Sequence, residues 1–99
     1  MSPARAADVP AILAQHDLDS DADAETLTVA LRARGWRVTV EETRRHGVWR
    51  STAHASRVRN NPSDHYFPII REAVRATGPT PRAALAFVLA KALEKERER

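Results

Sequence analysis

The residue type most suited to chemistry in this chain is arginine. There are fourteen arginines and only two lysines. Arg44, Arg45, Arg50, Arg57 and Arg59 fall within residues 43–60 with no acid among them, a local sum of +5. A guanidinium group binds phosphate bidentately. Each phosphate it neutralises releases a counterion, so a cluster of this kind suits a polyanion. The front of the chain is the opposite pole. Residues 1–26 set Arg5 against Asp8, Asp17, Asp19, Asp21, Asp23 and Glu25, a sum of −5. The net charge of +3 therefore hides an acidic front and a basic middle. Eighteen alanines accompany the arginines, a bias that also suits a GC-rich genome, so the distribution of arginine says more than its number.

Other chemistries lack their residues. The absence of cysteine excludes disulfides, a thiolate nucleophile and sulfur-ligated zinc. His16, His46, His54 and His65 have no H-x-x-x-H spacing. Asp17-Leu18-Asp19-Ser20-Asp21 opens like a calcium loop, but Ala22 stands where the turn needs glycine and Thr28 where a bidentate Glu belongs. Those acids read better as a solvated loop and helix caps. Ser51 and Ser56 have no glycine-flanked elbow. Gly35, Gly47 and Gly78 stand singly, so no phosphate loop exists. Glu41 and Glu42 are neighbours on a strand and face opposite sides. The expectation is a chain without catalysis, cofactor or metal. No apolar run approaches the roughly 18 residues that span a bilayer, and no leader pattern opens the chain, which leads us to expect a cytoplasmic protein with no membrane partner.

The elements that must position these side chains follow from patterning. With 99 residues, 42% apolar and 29% charged, the chain has room for one domain. We expect an N-terminal extension over 1–20 holding a short helix at 8–16, then a single domain over 21–99. Ser20, Asp21 and Asp23 are N-cap candidates for a helix over 22–34, with Leu27 and Leu31 on one side and Gly35 as its stop. Trp36 to Glu41 alternates as a half-buried strand with Trp36, Val38 and Val40 inward. Arg44-Arg45-His46-Gly47 supplies a turn, and Val48 to Ser56 alternates again, so the two make a hairpin. In it, Trp49, Ser51, Ala53 and Ala55 share one side, and Trp36 and Trp49 are expected in the core.

Residues 57–67 read as a polar loop around Asn60-Asn61-Pro62-Ser63. Pro68 to Ala76 fits either a helix or a third strand with Ile70, Val74 and Ala76 on one face. A lone hairpin is marginal, which favours the strand. Thr80-Pro81 is an N-cap with an N1 proline, and Ala84, Leu85, Val88, Leu89, Ala92 and Leu93 form the stripe of a final helix. That helix has a second smooth face made by Phe87, Ala83, Ala86 and Ala90, on which either Ile12 and Leu13 dock or an oligomer or partner contact forms. The expected class is α+β, in the order α-β-β-β-α, with a three-stranded antiparallel sheet, two helices on one face and the short N-terminal helix.

Residues Ala76-Thr77-Gly78-Pro79-Thr80-Pro81-Arg82-Ala83-Ala84-Leu85, continuing to Ala92-Leu93, resemble the strand end and Ala-rich second helix of the double-stranded RNA-binding domain, whose layout the chain shares over about 22–96. That family's basic cluster at the helix start would fall on Pro81, Arg82 and Leu85, of which only Arg82 is basic. Gly35-Trp36-Arg37-Val38-Thr39-Val40 and Thr80-Pro81-Arg82-Ala83-Ala84-Leu85 are also similar to small phage proteins built as α-β-α sandwiches. The first functional expectation is a module that contacts nucleic acid or another polyanion through Arg44, Arg45, Arg50, Arg57 and Arg59, with Arg82 as an accessory. The second is a phage or mobile-element accessory protein whose acidic stretch Asp17–Glu25 occupies a basic site on a host protein, such as a defence component. The third is a self-associating module, a homodimer through Phe87 and the alanines around it.

Overall fold

The computed structural model describes residues 5–19, 21–60 and 69–97. The expectations placed on Ser20, Asn61-Pro62-Ser63, His65 and Pro68 lie outside these residues. A 3-10 turn at Ala6–Asp8 leads into α1 (Val9–Gln15) and α2 (Ala24–Ala33), followed by β1 (Arg37–Arg45), β2 (Val48–Asn60), β3 (Ile69–Gly78) and α3 (Pro81–Arg97). The strands form one antiparallel sheet in the order β1-β2-β3. The architecture is α+β in the anticipated order, and residues 69–78 are a strand.

Helices α1 and α2 end in the same way, and the ending sets the core. After α1, the Asp17 N–H donates to Ala14 O and the Leu18 N–H to Leu13 O, at 3.1 and 2.9 Å. After α2, the Gly35 N–H donates to Arg32 O and the Trp36 N–H to Leu31 O, at 3.0 and 3.1 Å. Both are Schellman motifs with the residue after the cap in the left-handed region, at φ 57° for Asp17 and 87° for Gly35. Glycine takes that conformation without a Cβ penalty. Each motif carries an apolar residue one place further on, and these turn inward. Leu18 packs against the core, and Trp36 is 2% exposed within it. At its other end α2 is capped by Asp23, whose Oδ1 accepts from the Thr26 N–H at 2.8 Å. The side-chain and backbone hydrogen bonds from Thr26 hold that carboxyl below its usual value.

Helix α3 lies across the inner face of the sheet. Thr80 Oγ1 accepts from the Ala83 N–H at 3.1 Å, and Pro81 follows as the first helical residue. Leu85, Val88, Leu89, Ala92 and Leu93 are buried together with Ala53, Ala55 and Ala76 of the sheet. The small strand residues let the helix approach closely. The second face of α3 is covered from within the chain. Helix α1 packs chiefly on α3, and Val9, Ile12 and Leu13 are buried. Ala86 and Ala90 are 5% and 0% exposed. The expected self-association surface therefore loses its centre. Ala83 and Phe87 keep partial exposure, with Lys91 Nζ lying 4.8 Å from the centre of the Phe87 ring.

The stretch expected to be an extension thus supplies core residues. Truncating Leu13, which has no exposure, removes contacts at the α1–α3 junction, and Leu13→Ala should cost about 3 kcal/mol of unfolding free energy. Urea denaturation checks this, and a loss under about 1 kcal/mol would make α1 an appendage rather than part of the core.

Candidate nucleic-acid interface

Strand β2 decides where the arginines go. Its side chains alternate across the sheet. Ser51, Ala53 and Ala55 face α3 and are buried, so Arg57 and Arg59 continue that inward row. Residues 57–60 belong to the strand, not to the expected loop, because they pair with Glu72, Arg71, Ile70 and Ile69 of β3. Even-numbered residues of β2 face away from the helices. The pairings Thr39–His54–Arg75 and Arg37–Ser56–Ala73 place Arg37 and Arg75 on that same open face.

Arg57, with a side chain 12% exposed, and Arg59, with one 37% exposed, are both paired within the fold. Glu72, opposite Arg57 on β3, is 5% exposed. Arg57 Nε donates to Glu72 Oε1 at 3.2 Å and its Nη1 donates to Glu96 Oε1 of α3 at 3.0 Å. Arg59 Nε lies 3.0 Å from the same Glu72 oxygen, an ion pair without hydrogen-bond alignment. Glu96 also accepts from Arg34 Nε, just after α2, at 2.8 Å. The Arg57 guanidinium sits 4.7 Å from the centre of the Trp36 ring. Five charged side chains from α3, β2, β3 and the end of α2 therefore close the core beyond Ala55. The expectation that five arginines of residues 43–60 go unneutralised fails for these two. Burial on the helix-covered face brings carboxylates to them from positions distant in sequence. Their parity with Ala53 and Ala55, and that of Glu72 with Ile70 and Val74, was the available signal.

The other three arginines occupy a different environment. The β1–β2 pairing runs three rungs past the last β2–β3 rung, Ser51–Gly78. These rungs are Thr43–Arg50, Arg44–Trp49 and Arg45–Val48. The turn beyond them is two residues, His46 and Gly47, both with positive φ at 53° and 79°. That is the turn geometry whose twist matches a hairpin. Residues 41–50 are all exposed, and the molecule measures 49 Å along its longest axis against 29 and 26 Å. Among the described residues no carboxylate oxygen lies within 4 Å of a charged nitrogen of Arg44, Arg45 or Arg50.

Trp49, expected in the core, is 58% exposed. It has the inward parity of Ser51, but neither β3 nor α3 reaches that far. The Arg44 guanidinium stands 6.0 Å from the centre of its ring. Val48 is 56% exposed on the other side of the ribbon, with Arg45 and Arg50. Arg82, in the first turn of α3, is exposed and sits at the end of the sheet from which the ribbon projects, since β3 ends beside Ser51. The acids of the opposite pole serve local turns in part. Asp19 Oδ1 accepts from the Asp21 N–H at 2.8 Å, and Asp23 caps α2.

Removing the carboxylate of Glu72 takes one of two carboxylate partners from Arg57 and the described partner from the part-exposed Arg59, and leaving a fully buried charge unpaired costs about 3–5 kcal/mol. Glu72→Ala should lose stability near the lower end of that range, because Arg57 keeps Glu96. Urea unfolding of the variant reads this directly, and an unchanged midpoint would mean that the network contributes nothing. No helix among the described residues is long and apolar enough to cross a membrane. No family model, curated protein or solved structure matches this chain.

Proposed function

We propose that the chain is a non-catalytic binding module that docks on nucleic acid through its projecting hairpin. Arg44, Arg45 and Arg50 supply the contacts, and Trp49 offers an apolar ring beside them. The observation that carries this reading is the contrast between the two arginine groups. Arg57 and Arg59 are held by Glu72 and Glu96, whereas among the described residues no carboxylate oxygen lies within 4 Å of a charged nitrogen of the three ribbon arginines, and all three are exposed.

Physical chemistry links that geometry to a phosphate backbone. Exposed guanidinium groups on a narrow ribbon reach phosphates bidentately. A two-stranded ribbon is also narrow enough to enter a groove. Affinity arises mainly from counterion release, with little dependence on base sequence. Arg57 and Arg59 leave the contact set, and Arg82 stays as an accessory at the base of the ribbon. Opposed charge poles add orientation, because the acids of residues 17–25 are repelled from the same backbone.

The triple reversal Arg44→Glu, Arg45→Glu and Arg50→Glu should abolish binding in a low-salt gel-shift titration. Thermal stability should change little, because these side chains are exposed. Retained binding by the triple variant, or no binding by the wild-type chain to any DNA or RNA probe, overturns the reading.

A further inference from the structure

The open face of the sheet carries a second set of arginines that is invisible in the linear charge pattern. Arg37 and Arg45 on β1, Arg50 on β2, and Arg71 and Arg75 on β3 all point to the side away from the helices. Glu41 is the single acid with that parity among the described residues. No ion pair holds any of the five among those residues. We infer that this face binds double-stranded DNA, with Arg37, Arg71 and Arg75 extending the hairpin contact along the backbone. This inference rests on the hairpin reading above and assigns its ligand class.

Three observations select the ligand. The first is spacing. Arg37 and Arg45 stand on one edge strand and Arg71 and Arg75 on the other, with β2 between them. Two strand spacings separate the edges by about 10 Å, close to the major-groove width of about 12 Å in B-form DNA. The second is the midline. His54 and Ser56 of β2 present polar, partly or fully exposed groups to base edges between the flanking arginines, while Thr52 is 9% exposed and lies 3.2 Å from Thr77 Oγ1, and exposed Val48 and Val58 stand toward the two ends of the row. Open hollows of about 650 and 570 Å3 lie along this surface, lined in part by Arg37, Ser56, Arg71, His54 and Arg75.

The third is that no Trp, Tyr or Phe among the described residues lies on this face. A surface for single strands stacks bases on aromatic side chains. The His54 imidazole is the one ring with this parity among the described residues. Trp49 is on the other side of the ribbon, Trp36 is buried and Phe87 belongs to α3. The deep, narrow major groove of duplex RNA does not admit such a surface.

The test is a salt titration of binding by fluorescence anisotropy. The probes are a 20-base-pair DNA duplex, one of its strands alone and the matching RNA duplex. The proteins are the full wild-type chain, the variant Arg37→Gln/Arg71→Gln/Arg75→Gln and the hairpin triple reversal. The wild-type chain should prefer the DNA duplex. Neutralising the three face arginines should flatten the slope of log affinity against log salt by about 2.7, at roughly 0.9 per phosphate contact. Circular dichroism should show the variant folded, since all three side chains are exposed. An unchanged slope and affinity in the face variant, alongside loss in the hairpin variant, would overturn this inference and leave the hairpin reading standing. Equal or tighter binding of the single strand or the RNA duplex overturns the duplex-DNA assignment. No binding of any probe by the wild-type chain overturns both readings.

Discussion

The period-two alternation of β2 is the constraint on which the molecule depends. One run of thirteen residues supplies Ala53 and Ala55 to the core, Arg57 and Arg59 to an internal charge network, and Arg50 to the open face. A slip of one residue would exchange all of these sides. The alanines would then meet water and Arg50 would meet the helices. Burial against α3 pins the register, because Ala53 and Ala55 are almost without exposure beneath it.

Beyond Ala55 the inner face changes character from apolar to ionic. Glu72 and Glu96 hold Arg57, Arg59 and Arg34, and Trp36 lies against Arg57. An ion pair withdrawn from water contributes little net stability compared with a well-packed apolar cluster, although breaking it is costly. What such a network supplies here is geometry. It joins the end of α2 to α3 and to two strands, so the end of the sheet farthest from the hairpin turn is closed by directional contacts. Arg57 also shields the Trp36 ring, which the Schellman turn after α2 delivers to that spot. Local backbone geometry and a long-range charge cluster therefore meet at one side chain.

The opposite end of the sheet is built by omission. Strand β3 stops at Gly78 and turns into α3, while β1 and β2 continue. With neither β3 nor α3 beneath it, the ribbon keeps its apolar and cationic side chains in water. Exposed Trp49 and Val48 beside arginines carry a solvation cost unless a partner covers them, and a tight two-residue turn holds them in place. The same end carries the first turn of α3 with Arg82. The charge asymmetry of the chain thus becomes spatial, with a basic sheet face and arm set against the acidic turns around α1 and α2.

Much of this fold was legible in the residues themselves. Caps, stops and periodicity are local, so Asp23, Gly35, Thr80-Pro81, the alternation around Val38 and Ala53 and the stripe of α3 each marked their element. The third strand followed from the need of a hairpin for a partner. Tertiary structure alone decided which arginines stay available, because availability depends on what lies across the sheet. Glu72 and Glu96 stand 15 and 39 residues from Arg57, and no local window joins them. The fate of Trp49 was equally non-local, since its parity is that of a core residue and its exposure comes from where β3 ends. The gathering of Arg37, Arg71 and Arg75 onto one face likewise required the strand register, which only the packed sheet supplies.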